Sequence, residues 1–288
     1  MSKARKDRRP ARKKPIPLGQ VIREDKQTFI VYLALHVIIL AIIVYSAIIG
    51  RFENIFSGAL SILLLLIPPI IERSFHVKLP ATLEILAYLF VFASSILGEI
   101  ADFYRIFPFW DVILHAFNGF MFAAFGFCLV DIFNKDKRFR FTLSPFFLAF
   151  VAFCFSMTIG VLWEFFEYAA DTLLLTDMQK DVFRDSLHTV TLPNALGEKV
   201  THITGIESVQ IITKDGQIIT MNGYLDPGLT DTVKDLLVNF GGALLFSIIG
   251  FFYVKREGKG RIAKRFIPTY RDNQEPPQYT EERTVGKE

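Results

Sequence analysis

Six apolar runs, a mean hydropathy of +0.36 and a lopsided placement of Lys and Arg predict an all-α polytopic membrane protein. A bilayer core about 30 Å thick needs roughly 20 apolar residues per helix. Segments 28–50, 54–71, 81–98, 112–133, 144–170 and 232–254 meet that need. Thirty Phe in 288 residues is more than a water-soluble core would use. The pieces 1–27, 72–80, 134–142 and 255–288 hold 25 of the 32 basic residues. Under the positive-inside rule they are cytoplasmic, so both termini lie inside.

The first run follows a basic arm, residues 1–27, with ten basic and three acidic side chains. No small-residue cleavage site follows it, because Ser46-Ala47 runs on into Ile48-Ile49-Gly50-Arg51. It reads as a retained helix rather than a removed signal peptide. The arm reads first as a topological anchor. A second reading is attraction to anionic inner-leaflet lipids, worth about 1 kcal/mol per basic residue near the surface. The net charge of +3 says little about nucleic acid, and with no fold to present the arm to DNA no nucleic-acid partner is expected.

The second run is short and carries Pro68-Pro69 near its end, which predicts a kinked or re-entrant segment. Helices one to five occupy 28–171. An extracytoplasmic insert, 172–231, then precedes the sixth helix at 232–254 and a cytoplasmic tail at 255–288. In the insert, Ser208–Thr213 and Ile218–Met221 flank Lys214-Asp215-Gly216-Gln217, which predicts a β-hairpin with Asp-Gly in a two-residue turn. One hairpin is marginal alone, so it is expected to pack on the membrane domain as a cap. Asp226-Pro227-Gly228 turns the chain toward the sixth helix. The tail beyond Tyr270 is polar and is expected to be disordered. Cys128 and Cys154 fall within spans and read as small apolar residues.

The polar residues of the apolar helices gather toward one end of the spans. Glu99 and Asp102 close the third. Asp111, His115 and Asn118 open the fourth. Glu164, Glu167 and Asp171 end the fifth, and Asp231, Asp235 and Asn239 begin the sixth. Spacings of three, four, seven and eight put each set on one helix face. Ionisable groups at membrane depth are costly unless paired or solvated, which marks the cluster as a candidate site.

Asp111, His115, Glu164, Glu167, Asp231 and Asp235 suit a divalent metal. Oxygen ligands suit Mg²⁺ or Mn²⁺, and a mixed His/carboxylate set suits Zn²⁺ or Mn²⁺. Without metal, Glu164, Glu167, His115, Asp235 and Asn239 suit acid–base catalysis. Asp111, Asp171 and Asp231 also read as solvated helix ends, whereas Glu164, His115 and Asn239 lie deeper. Trp110, Trp163 and Tyr168 fit an interfacial aromatic belt. Gly119 and Gly241-Gly242 are expected to allow close helix approach. Glu84 stands apart at the other end, with Arg73 or Lys78 as expected partners.

Gly98-Glu99 with Tyr104, Trp110-Asp111-x3-His115-x3-Gly119, Trp163-Glu164-x2-Glu167-x3-Asp171 and Asp231-x3-Asp235-x3-Asn239-x2-Gly242 together resemble the YjdF-like (DUF2238) bacterial membrane proteins. The layout is also similar to VanZ-like proteins, which are associated with glycopeptide response. The resemblance spans about residues 80–255. It implies a bacterial cytoplasmic membrane protein and brings no established reaction.

Intramembrane CPBP-type proteases need Glu-Glu-x3-Arg and two further His motifs, and no predicted span carries a Glu-Glu pair; the one in the tail, Glu281-Glu282, has Gly286 where that motif needs Arg. No Gly-x-Ser-x-Gly is present for a serine hydrolase. Three readings stay open. One is an outer-face enzyme acting on a lipid-linked or envelope substrate. Another is a non-enzymatic protein binding lipid or antibiotic, or assisting a partner. The third is an ion-coupled transporter, which would need a polar route continuing to Glu84.

Overall fold

The computed structural model describes residues 17–75, 77–135, 143–192, 199–256, 265–266 and 269–270. Most of the basic arm, most of the 134–142 loop and the tail beyond Tyr270 lie outside the described residues. Among those described, six helices are long and apolar enough to cross a membrane: Lys26–Ile48, Phe52–Ser74, Ala81–Ile100, Trp110–Asp131, Pro145–Leu174 and Leu229–Lys255. Each lies within a few residues of its predicted run. The chain divides into two compact units, and each is described by itself.

The first unit comprises the chain up to Trp110, residues 127–145 and the chain from Gly250 onward. A short helix α1 (Leu18–Ile22) precedes α2 (Lys26–Ile48). Asp25 caps α2, its carboxylate accepting from the Thr28 backbone N–H and hydroxyl, each at 2.9 Å. The second span is broken, as its prolines predict. Helix α3 (Phe52–Leu65) ends at Leu66, and α4 (Ile67–Phe75) restarts with Pro68 and Pro69 in its first turn. Proline is tolerated there because first-turn N–H groups have no intrahelical partner.

Strand β1 (Val77–Lys78) leads to α5 (Ala81–Val91), which continues as a π-helix over Phe92–Ile100. This widening was not anticipated, since hydropathy alone does not distinguish i+5 from i+4 bonding. Within it, the Ala93 carbonyl accepts from the Trp110 indole at 3.2 Å. A Cβ at Gly98 would lie 2.7 Å from the Tyr104 Cζ, so glycine there lets the Tyr104 ring seat. Asp102 takes a left-handed conformation (φ 62°) ahead of α6 (Phe103–Ile106) and pairs with Arg105 at 2.6 Å.

Leu35, Ile39, Leu65, Tyr88, Val91 and Ile96 form the core of this unit. Glu84 is buried and accepts from the Tyr88 hydroxyl at 2.6 Å. Lys78, one expected partner of Glu84, sits 3.2 Å from Glu24.

The second unit comprises 111–126 and 146–249. It holds residues 111–126 of α7 (Trp110–Lys135), nearly all of α8 (Pro145–Leu174) and residues 229–249 of α9 (Leu229–Lys255). The α7–α9 crossing is very tight. A Cβ at Gly119 would overlap the Asn239 carbonyl, and one at Gly242 would overlap the Ala116 carbonyl. Gly241 has nothing within 4 Å of an added Cβ, so the expectation of close approach holds for Gly119 and Gly242 and fails at Gly241.

The insert between α8 and α9 contains more strand than the single predicted hairpin. Strand β2 (Val182–Arg184) pairs with β7 (Tyr224–Asp226), β3 (Ser186–Thr189) with β4 (Thr201–Thr204), and β5 (Val209–Ile212) with β6 (Ile218–Met221), all antiparallel. The predicted hairpin is β5–β6, but its turn differs from expectation. Gly216 has φ 85° and Asp215 is not in the positive-φ region, while Thr213 and Gln217 are bridged by an N–H···O bond of 3.0 Å. The loop is therefore Lys214-Asp215-Gly216, three residues with one glycine in αL, rather than a two-residue turn needing positive φ at both centres.

The insert docks on its own helices. Asp226 caps α9, its carboxylate accepting from the Leu229 and Thr230 backbone N–H groups at 3.1 and 3.0 Å.

Candidate functional site

Polar side chains of α7, α8 and α9 converge at the end of the second unit where the insert joins. His115, one turn into α7, is the centre. Its Nε2 lies 3.4 Å from Asp111 Oδ1 on the same helix and 3.6 Å from Asp235 Oδ2 on α9. One donor atom from each of the three residues falls within 4.8 Å of the others. Ligands in cis positions on a cation with bonds of about 2.1 Å stand about 3 Å apart. The two His115 distances therefore need only a slight contraction to enclose an ion.

Access and burial divide across the cluster. The Asp111 side chain is 22 % exposed and the Asp235 side chain 2 %. A small ion can reach the group past Asp111, while Asp235 forms the floor. The α8 face contributes two further carboxylates. Glu164 is 4 % exposed and one of its oxygens, Oε2, has no hydrogen-bond partner; the same is true of Asp235 Oδ1. Buried polar atoms are nearly always satisfied, and an orphaned carboxylate oxygen calls for a partner, be it a proton, a water or a cation. Both Glu164 and Glu167 lie within electrostatic reach of His115. The Trp163 indole donates to Glu167 Oε1 at 2.8 Å, so this tryptophan orients a site residue as well as fitting an aromatic belt.

The remaining candidates separate from this group. Asp231 is buried and accepts from the Lys180 backbone N–H at 2.8 Å, fastening the insert at the site's edge rather than standing as a solvated helix end. Asp171 accepts from the Met178 and Gln179 backbone N–H groups at 2.6 and 2.8 Å and from the Thr176 hydroxyl, which fixes the turn leaving α8. Asn239 lies one turn beyond Asp235. Its Oδ1 accepts from the Asn118 amide at 3.1 Å and its Nδ2 faces the Met157 sulfur at 3.6 Å. This amide pair ties α7 to α9 beneath the cluster. Glu99 and Asp102 belong to the other unit.

Several participants escaped the sequence reading. A Cβ at Gly160 would lie 2.7 Å from Asn239 Nδ2, so that glycine makes room for the amide. Ser156 donates to the Gly119 carbonyl at 2.8 Å. The series Ser156, Gly160, Glu164 and Glu167 follows one helix face, and that spacing was the available signal. Gln179 donates to the Thr232 hydroxyl at 2.7 Å, and that hydroxyl lies beside the Glu164 carboxylate. Nothing in the local pattern marked Gln179, because it reaches the site through the insert's tertiary path.

Outside the spans, the carboxyl of Asp181 is held above its ordinary range by burial and then by the negative charges of Asp177, Asp171 and Asp226. The insert thus continues the acidic character of the helices it covers.

Six apolar helices, with carboxylates and an imidazole drawn together on three of them, define an integral membrane protein with a polar centre. Residues 31–256 match the family described as predicted membrane protein (DUF2238), and the chain belongs to that family. It is also 28 % identical over 142 residues to an uncharacterized protein of Thermotoga maritima, covering 46 % of this chain and 71 % of that one. No solved structure matches.

Proposed function

We propose that the second unit is a divalent-metal centre. Asp111, His115 and Asp235 are the primary ligands and Glu164 supplies the next. The observation that carries this reading is the pair of orphaned buried oxygens, Glu164 Oε2 and Asp235 Oδ1, in a cluster whose imidazole is already flanked by Asp111 and Asp235. A cation satisfies both oxygens and offsets the crowded negative charge. The ligand set, one nitrogen and several oxygens, suits Zn²⁺ or Mn²⁺.

Such an ion polarises a phosphoryl or carbonyl oxygen and activates bound water. Glu167, oriented by Trp163, is placed to accept or deliver a proton. With the centre near a helix end and reachable past Asp111, the substrate class we assign is a lipid-linked or cell-envelope molecule presented at the membrane surface. The excess of Lys and Arg in the pieces outside the insert supports placing the insert and centre on the outer face of a bacterial cytoplasmic membrane, with both termini inside.

The test is elemental analysis of detergent-purified protein beside His115→Ala and Asp235→Asn variants that retain the wild-type melting profile. Near-stoichiometric Zn or Mn in the wild type, lost in both variants, is the expected result. Wild type that stays metal-free after incubation with Zn²⁺, Mn²⁺ and Mg²⁺ would overturn it. The reading favoured then is a hydrogen-bonded polar network that fixes helix pairing, which the Asn118–Asn239 amide bond already exemplifies.

A further inference from the structure

A second imidazole arrangement lies in the insert. His188 on β3 and His202 on β4 are directly opposed across the antiparallel ladder. Their Nδ1 atoms are 2.8 Å apart, with ring centroids at 4.8 Å and planes inclined by 63°. The neighbouring pair, Leu187 and Ile203, is turned inward and half-buried, while both histidines stand on the exposed face. That follows from the period-two alternation of a strand.

This pair adds little to stability. Two exposed rings bury little apolar surface, and like charges directly opposite each other weaken a ladder whenever both are protonated. What the pairing does provide is two nitrogen donors held on directly opposed residues by the ladder register. We propose that His188 and His202 form a surface site for a tetragonal divalent ion, Cu(II) or Ni(II).

The spacing is already that of neighbouring ligands on one ion. With metal–nitrogen bonds of about 2.0 Å, two ligands at a tetrahedral angle stand about 3.3 Å apart. In cis positions of a square-planar or tetragonal centre, the same bonds put them about 2.8 Å apart. The observed 2.8 Å equals the second value and falls short of the first. Either separation is within reach of the ring torsions, and the preference for Cu(II) and Ni(II) rests on the affinity order of nitrogen sites, in which copper stands above zinc.

In the metal-free pair, one Nδ1–H donates to the other Nδ1. Binding replaces that proton, which moves to Nε2 of the same ring as its tautomer changes, so two neutral imidazoles bind the ion with no net proton release. Rotation about χ2 of each exposed ring turns both lone pairs toward a common point. That torsion is broad and soft in histidine. Water or a donor from another molecule fills the remaining positions.

This site is independent of the helix centre, and the test keeps the two apart. Full-length protein in detergent is titrated with Cu(II) in a weakly coordinating buffer and read by electron paramagnetic resonance. The comparison runs in wild type and in His115→Ala, each with and without His188→Asn or His202→Asn. One Cu(II) per chain with splitting from two nitrogens, present in both backgrounds and weakened at least tenfold by either Asn substitution, is the expected result. A further variant carries His202→Thr with Thr204→His. It keeps the histidine count but moves one ring to a diagonal position about 7–8 Å away, and should lose the two-nitrogen signal. Unchanged copper affinity in His188→Asn, or an intact two-nitrogen signal in the relocated variant, would overturn the proposal. So would binding of Zn²⁺ tighter than Cu(II) and Ni(II) by the His115→Ala protein.

Discussion

The backbone carbonyl of Asn239 occupies the space that a side chain on Gly119 would need. The Ala116 carbonyl does the same opposite Gly242. In both cases the obstacle is backbone, which cannot swing aside as a side-chain tip can. Gly119→Ala and Gly242→Ala should each destabilise the protein by about 1–3 kcal/mol or more, because overpacking forces the helices apart. Gly241→Ala should be neutral or slightly stabilising, because its added methyl meets nothing. Denaturant-induced unfolding in mixed micelles measures all three. Equal tolerance at all three positions would contradict the crossing described.

Trp163 donates to Glu167 at 2.8 Å, and Glu167 is buried. Trp163→Phe retains the aromatic volume but leaves that carboxylate oxygen without its donor. A cost of about 1–3 kcal/mol follows. Because only two tryptophans are present, Trp163 also reports on the site. Adding Zn²⁺ or Mn²⁺ should change the intrinsic emission of the wild type. The change should disappear in Trp163→Phe and persist in Trp110→Phe.

The Asp25 cap gives a pH dependence with a defined sign. The backbone N–H of Thr28, and then its hydroxyl, hold the Asp25 carboxyl below its ordinary 3.8. A carboxyl with a depressed folded value stabilises above its unfolded value and loses that contribution as pH falls through the folded one. Asp25→Ala should therefore cost about 1 kcal/mol near neutrality, and the difference from wild type should shrink as pH falls below 3.8 and on through the lower folded value. Melting curves of both proteins across that range check it.

Asp181 carries the opposite sign. Burial first, then Asp177 and its other acidic neighbours, raise its carboxyl above 3.8. The ionised form costs stability above the folded value, and that cost is relieved as pH falls through it. Asp181→Asn should raise the melting temperature at neutral pH and make little difference in acid. A lower melting temperature at neutral pH would show instead that the carboxylate makes an attractive contact.

The helices were legible because spanning a membrane imposes a length and a composition, and six runs show both. The kink at Pro68-Pro69 was legible because proline removes a donor wherever it sits. The faces of the site followed from helical spacing: Asp111 with His115, Glu164 with Glu167, and Asp235 with Asn239. Spacing within a helix says nothing about which residue of one helix meets which of another. For that reason Asn239 read as a member of the acidic group, whereas its amide is held by Asn118 one turn beyond. The strands β2, β3, β4 and β7 were missed because they are as short as β5 and β6 but lack an Asp-Gly turn like the one that marked that hairpin. Each is also paired across a distance that local patterning does not encode, as with Val182 and Asp226.

That last pair has a consequence for how the insert can change. Asp226 ends β7 while its carboxylate caps α9, and its backbone partner Val182 opens the first strand after α8, so the two stems of the insert are joined at the base. The pairs β3–β4 and β5–β6 lie between the two strands of that clasp. Extending or trimming a loop beyond an existing closure is cheap, since each doubling of loop length costs only about 0.6 kcal/mol. Relatives can therefore lose, lengthen or exchange either hairpin while the clasp and the helices beneath it keep their register. The insert is free to diverge at a rate the membrane helices cannot follow.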